Sequence, residues 1–434
     1  MDLKLKLRPS IFFSFLIFIF FLQKPDLGSA SSPKCISTER QALLTFKQSL
    51  TDPSGRLSSW SGPDCCNWRG VGCDRRTSHV IKIDLRNPNQ TLRLYGGFKE
   101  GSLGGNIHPS LTRLKFLSYL DLSSNDFNFL EIPEFIGNIV SLRYLNLSFS
   151  SFSGEDLSRL SKLKELHLFN CELKNLPLSL PSHANLKLLE VLDLSQNSFS
   201  SPIPNWLFDL TSLRKLTLQW VDLQGSIPPG FNKLKLLETL DLSYNALSGE
   251  IPAVLGDLPQ LKYLDLSRNS LEGQIHMFVD ALSKNKGNSS LLSLSLSLNS
   301  NSLNGTLPES LGALRNLQIL DLSLNSFTGS FPSSVGNMAS LKKLALPLNS
   351  MNGKIPESLG KLDRLETLDL SSNRFSGAIP QSLAAISSLH TLNLSYNKLE
   401  GRIPKNLKFK DPSIYNGNEF LCGKPLPKRC PRKQ

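Results

Sequence analysis

A recurrence near 24 residues constrains this 434-residue chain more than any other feature. The pattern Leu-x-x-Leu-x-Leu-x-x-Asn opens clearly at Leu117, Leu189, Leu237, Leu261, Leu317, Leu341, Leu365 and Leu389. Those copies close on Asn125, Asn197, Asn245, Asn269, Asn325, Asn349, Asn373 and Asn397. Degenerate copies close on Ser150, Cys171 and Val221, and a slipped one near Asn301. The four steps from Asn301 to Asn397 are each 24 residues, as are those joining Val221, Asn245 and Asn269. Such a period marks an array of small stacked units rather than one compact core.

The spacing carries its own physics. Leu-x-Leu alternates with the period of a strand, so the leucines face one way and the intervening residues the other. A single short strand cannot bury its leucines. Stacked copies form a parallel sheet over a continuous core, each buried Leu contributing about 1.5–3 kcal/mol. The Asn is predicted to satisfy backbone groups where the chain leaves the strand, since an unpaired group costs about 1–3 kcal/mol. Cys171 stands at an Asn position and reads as a buried structural thiol. After the Asn comes a second signature, Leu247-Ser248-Gly249-Glu250-Ile251-Pro252, repeated from Leu223, Phe375 and Leu399. Gly permits a bend with unusual dihedrals, and Pro holds itself and its predecessor extended. A short helical turn then leads back to the next strand, as at Pro308 to Leu314.

This second signature is similar to the plant-specific class of leucine-rich repeat, and the resemblance covers nearly all of residues 35–430. The segment from Cys35 to Cys73, with Trp60 and the run Asp64-Cys65-Cys66-Asn67-Trp68, resembles the plant N-terminal repeat cap. Asp411 to Tyr415, Leu421-Cys422-Gly423 and Cys430-Pro431 resemble the C-terminal cap of receptor-like proteins, nearest those that perceive fungal xylanase. The resemblance implies an α/β fold: a leucine-rich-repeat solenoid, a right-handed superhelix with a parallel concave sheet and short helices or turns on the convex side. It implies the bridges Cys35–Cys65, Cys66–Cys73 and Cys422–Cys430, which spacing alone does not choose among the possible connectivities. Capping makes sense physically, because an array has two open ends. The expected organisation is a signal peptide at 1–30, an N-terminal cap with the first strand at 31–85, about twelve repeats at 86–406 with a loop insertion at 276–295, and a C-terminal cap with basic tail at 407–434.

Lys4, Lys6 and Arg8 precede an apolar run from Ile11 to Leu22, and Gly28-Ser29-Ala30 offers small residues for cleavage. That run is short of the roughly 20 residues a membrane span needs, so a cleaved signal is expected, with an uncleaved anchor as the alternative. Seven cysteines in an exported chain read as disulfides, leaving Cys171 free. Sequons at Asn89, Asn146, Asn288, Asn304 and Asn393 fit a glycosylated exterior. The net charge is +12, and residues 401–434 hold nine Lys or Arg against Asp411 and Glu419. Outside the cell that balance suits an acidic wall polysaccharide, an anionic lipid surface or an acidic protein face, not nucleic acid. Thr38 and Gln41 read as a capping box opening a helix with Leu43, Phe46 and Leu50 on one face, stopped by Asp52-Pro53 and Gly55. The insertion from His276 to Ser295 reads as a surface loop.

No nucleophile elbow, zinc-protease helix, phosphate loop or kinase signature occurs, so no enzyme, cofactor or metal chemistry is expected. The line Asp121, Asp193, Asp241, Asp265, Asp321 and Asp369 recurs with the repeat and reads as structural consensus. Binding information lies where exposed strand positions depart from that consensus: Tyr144, Phe149, His167, Phe169, Lys215, Gln219, Trp220, Tyr244, Tyr263 and Arg268. Aromatics with Arg dominate interface hot spots. The expected function is extracellular recognition of a protein or peptide ligand on the concave face, in defence or developmental signalling, with a membrane receptor kinase as co-receptor. The resemblance implies a membrane span after the second cap. The chain shows none before Gln434, and it carries fewer repeats than the xylanase-perceiving group usually does, so a secreted or truncated form is expected. The alternatives are a soluble inhibitor resembling polygalacturonase-inhibiting proteins, and a wall scaffold whose tail binds pectate.

Overall fold

Leucine spacing of this kind builds a sheet one strand per coil. The computed structural model describes residues 35–88, 101–153, 162–174, 186–284 and 294–431. Among these, fourteen strands form one sheet in sequence order, from Val71–Cys73 to Thr391–Asn393. The first two strands pair antiparallel within the N-terminal cap, and the repeats then stack parallel. Register advances one coil per step, so Leu120, Leu145, Leu166, Leu192, Leu216, Leu240 and Leu264 are successive partners. All seven are buried, and their cluster runs unbroken from cap to cap.

The Asn side chains bind the coils together as expected. Asn245 Nδ2 donates to the carbonyls of Leu218, Leu242 and Ser243 at 2.8, 3.0 and 3.2 Å, while its Oδ1 accepts from the amides of Val221 and Leu223. Asn325, Asn373 and Asn397 repeat the three donations, each accepting from one amide, those of Leu303, Met351 and Phe375 in turn. It continues into the C-terminal cap at Asn418, outside the 24-residue period. Where Asn is missing the ladder thins. Ser150 Oγ reaches the Leu122 carbonyl at 2.8 Å, and the buried, unbridged Cys171 lies with Sγ 3.1 Å from the Leu147 carbonyl. The aspartate line is equally structural: Asp241 Oδ1 accepts from the Ser243 amide and hydroxyl, and Asp121, Asp321 and Asp369 do the same two residues on.

Each coil then turns through a residue with positive φ just before the Asn position. Ser124, Phe149, Asn170, Gln196, Trp220, Tyr244, Arg268, Ser300, Leu324, Leu348, Ser372 and Tyr396 all adopt it. The Leu-x-Gly segments form a second, five-stranded parallel sheet on the flank, from Gln224–Ser226 to Ser326–Phe327. Gly249 ends its strand at φ 75°, a conformation that favours glycine. Ile-Pro or Leu-Pro leads into a 3₁₀ turn, as in Glu309–Ala313 behind Leu307-Pro308, which returns the chain across the convex side.

Both ends are sealed. Helix α1 (Ser37–Ser49) buries Ala42, Leu43 and Phe46, with Phe46 against Trp60, and Trp60 stacks on Trp68 at 5.6 Å. The bridges are Cys35–Cys65, Cys66–Cys73 and Cys422–Cys430. The capping box does not form: Ile36 is the N-cap and makes no side-chain cap bond, while Thr38 lies within the first turn. Glu39 is buried instead, accepting from the Val80 amide at 2.7 Å and meeting His79 Nδ1 at 2.8 Å, which ties α1 to the sheet. The helix also stops short of Asp52-Pro53, because Leu50–Thr51 pairs as a strand with Gly104–Gly105.

The insertion is not a loop throughout. His276–Lys284 forms helix α2, burying Phe278, Val279 and Leu282, so the apolar stripe of this segment packs on the array in place of a 3₁₀ turn. Leu294 and Ser295 already belong to the concave sheet. The signal segment 1–30 and the sequons Asn89 and Asn288 lie outside the described residues.

Candidate functional site

Parallel register places every intervening strand residue in a column facing out of the concave sheet. Tyr144, Lys215 and Tyr263 share one column, in line with Tyr119 and Glu165. His167 lies in the aspartate column, paired across the sheet with Asn146 and Asp193. Phe169 and Gln219 stand two positions before the Asn site. Phe149, Trp220, Tyr244 and Arg268 occupy the positive-φ column along the sheet edge.

The ten residues form two groups rather than one strip. The coil carrying Val191, Asp193 and Gln196, which has no aromatic on this face, separates them. The N-terminal group packs ring against ring, with Phe149 still 39% exposed. Tyr144 is sandwiched between Tyr119, at 4.2 Å and 4° from parallel, and His167 at 5.3 Å. Phe149 and Phe169 pack at 4.8 Å. Lys82 Nζ sits 4.6 Å over the Tyr119 ring, and Arg86 donates to the Tyr119 hydroxyl at 3.3 Å. Burial is the main cause that pushes the Tyr119 and Tyr144 hydroxyls above their ordinary pKa. Arg86 in turn holds Asp84 below the usual carboxylate range, chiefly through their hydrogen bonds. Tyr119, Lys82 and Arg86 were not singled out from sequence. The signal was there for Tyr119, which holds the position of Tyr144 one repeat earlier.

The central group is open. Trp220 is 59% exposed and Tyr244 37%, and they stack at 5.4 Å and 8°. The Arg268 guanidinium lies 4.8 Å over the Tyr244 ring. Thus one cation and two rings form a continuous pile over three coils, and it holds the indole in place. Lys215 is exposed in the same coil as Trp220, at the start of its strand. Tyr263 is half-buried and its hydroxyl donates to Asp265 at 3.1 Å, so it turns to the aspartate column rather than extending the pile. Beyond the indole lies a cavity of about 410 Å³, lined by Asn170, Glu172, Lys174, Gln196 and Trp220 among others. The cluster of Cys35, Cys65 and Cys66 sulfurs in the cap is committed to disulfides.

Repeat families match along this frame. A leucine-rich-repeat N-terminal domain covers residues 36–74, and leucine-rich repeats match at 226–271 and at 141–163, 188–210, 316–338, 364–386 and 388–409. The chain therefore carries leucine-rich repeats and the N-terminal domain that accompanies them. Its similarity runs to receptor-like proteins. It is 38% identical over 226 residues to receptor-like protein EIX1 of Solanum lycopersicum, covering 50% of this chain and 22% of that protein. It is 51% identical over 122 residues to receptor-like protein EIX2 of the same plant, covering 28% and 12%. The matched region is thus less than a quarter of the length of these relatives. The solved structure of PEPR1–AtPEP1 aligns at TM-score 0.66 and 32% identity, over 86% of this chain and 53% of that one. The plant peptide hormone receptor RGFR1 in complex with RGF2 aligns at 0.61 and 30%, over 74% and 53%.

Proposed function

We propose that this chain is an extracellular recognition module of the plant receptor-like class, non-enzymatic, that binds a protein or peptide ligand on its concave face. The observation that carries this reading is the stacked pile of Trp220, Tyr244 and Arg268, which leaves large aromatic area in water on a sheet edge that also exposes Leu324, Leu348 and Tyr396. Similarity to receptors solved with peptide ligands supports the ligand class. Disulfides at both ends support an oxidising, extracellular setting. Defence or developmental signalling through a membrane receptor kinase is the role we assign it. The central group, with its cation over the Tyr244 ring, is the primary contact and the N-terminal group a secondary one. The basic tail around Lys424, Lys428 and Arg429 adds electrostatic retention on acidic wall polymers.

Capture from plant apoplast and pathogen filtrate tests this. The double variant Lys215→Glu with Trp220→Ala should lose the captured protein or peptide, with a tenfold or greater drop in affinity once the ligand is in hand. Equal capture by parent and variant rejects the placement.

A further inference from the structure

The cavity beside Trp220 has a chemistry that a peptide-binding face does not require. It is an open groove, with a volume of about 410 Å³. Its lining is more apolar than polar, with Leu173 and the indole beside Asn170, Gln196, Asn197 and Ser198, and one charge of each sign from Glu172 and Lys174. Asn197 is committed to the coil, donating to the carbonyls of Leu168 and Leu194 and accepting from the amides of Cys171 and Leu173, so it makes a fixed floor. Asn170 and Gln196 are held differently. Asn170 Nδ2 donates to Gln196 Oε1 at 3.3 Å, which locks the two amides together while leaving Asn170 Oδ1 as an acceptor and Gln196 Nε2 as a donor. Both stand in the positive-φ column, as does Trp220, so all three project from the same edge. Trp220 gives one face to Tyr244, in the following coil, and lines the cavity from the side of the preceding ones.

We propose that this cavity is a carbohydrate subsite for a neutral pyranoside. A sugar ring has an apolar C–H face, which suits a flat, immobilised indole. Its hydroxyls both donate and accept, which suits a locked amide pair. Balanced Glu172 and Lys174 favour a neutral ring over a uronate. The site shares Trp220 with the concave recognition surface but not Asn170 or Gln196, so the two readings fail separately. The same chemistry arrives from a free wall-type oligosaccharide or from a glycan carried on a protein.

Trp60, Trp68 and Trp206 are buried and Trp220 is exposed, so iodide quenching of the full chain reports Trp220. Cellohexaose, xylohexaose and mannohexaose represent free oligosaccharides. Ribonuclease B against its unglycosylated form, ribonuclease A, represents a protein-borne glycan. The expected result is saturable protection of the exposed tryptophan by at least one neutral probe, weakened tenfold or more in Asn170→Ser and Gln196→Ser. Serine already stands in this column at Ser124, Ser300 and Ser372, so both variants keep the fold, which circular dichroism checks. No protection by any neutral probe, protection only by oligogalacturonate, or equal protection in both variants overturns the proposal. Capture of the protein or peptide ligand by the two serine variants stays at the parent level.

Discussion

A carboxylate set between two others on a half-buried sheet is harder to ionise than the same group in an unfolded chain. Burial raises the pKa of Asp241, the charges of Asp265 and Asp193 add to it, and the Ser243 hydrogen bonds only partly oppose them. The native state therefore binds more protons than the unfolded one between the two pKa values, and stability falls as pH rises through that window. An amide does the structural work without the charge: Asn146 and Asn393 stand in this column, and their Oδ1 atoms accept from the amides of Ser148 and Ser395 at 3.0 and 3.2 Å. Asp241→Asn should thus melt higher than the parent at neutral pH, with the gap closing as pH drops below the ordinary carboxylate range. Thermal melts from about pH 3 to pH 8 measure this, and a gap independent of pH would show that Asp241 carries no such penalty.

At the scale of the coil, the interior amide is the joint. Asn325 donates to the carbonyls of Leu298, Leu322 and Ser323 and accepts from the Leu303 amide. Asn325→Ala strands these groups in a largely buried seam and is expected to cost about 2–4 kcal/mol in urea unfolding. Asn325→Ser should recover part of it, as Ser150 does naturally through a hydroxyl that reaches the Leu122 and Ser148 carbonyls and accepts from the Asn125 amide. This joint was legible in sequence because strict spacing leaves one geometry for Leu-x-Leu and one place for the Asn. Helix α2 was not, because an interruption of a repeat looks like loop until Phe278, Val279 and Leu282 are seen to share a buried face. Thr38 misled because a T-x-x-Q pattern fits equally well one turn inside a helix. The Asn170–Gln196 pair was invisible, since two polar residues 26 positions apart in degenerate coils carry no sign that they meet.

Over the whole molecule, the sheets decide which surfaces a glycan can share with a ligand. Asn304 is exposed on the flanking sheet, within Ser302–Gly305. Asn146 sits in the concave sheet with Nδ2 at 3.3 Å from the Tyr144 hydroxyl and 3.4 Å from Asp121, where a sugar would pry open the tyrosine stack. Glycopeptide mass spectrometry of chain secreted from plant cells should find Asn304 occupied and Asn146 bare; full occupancy of Asn146 would contradict this geometry. The left-handed column along the sheet edge has a further consequence. That conformation is disfavoured by roughly 1–2 kcal/mol for ordinary side chains, and least for asparagine. Because none of these positions belongs to the leucine spine, each coil can exchange its edge side chain independently of the others. Recognition can therefore diversify one rung at a time, while accumulated backbone strain limits how many bulky rungs a single rod displays.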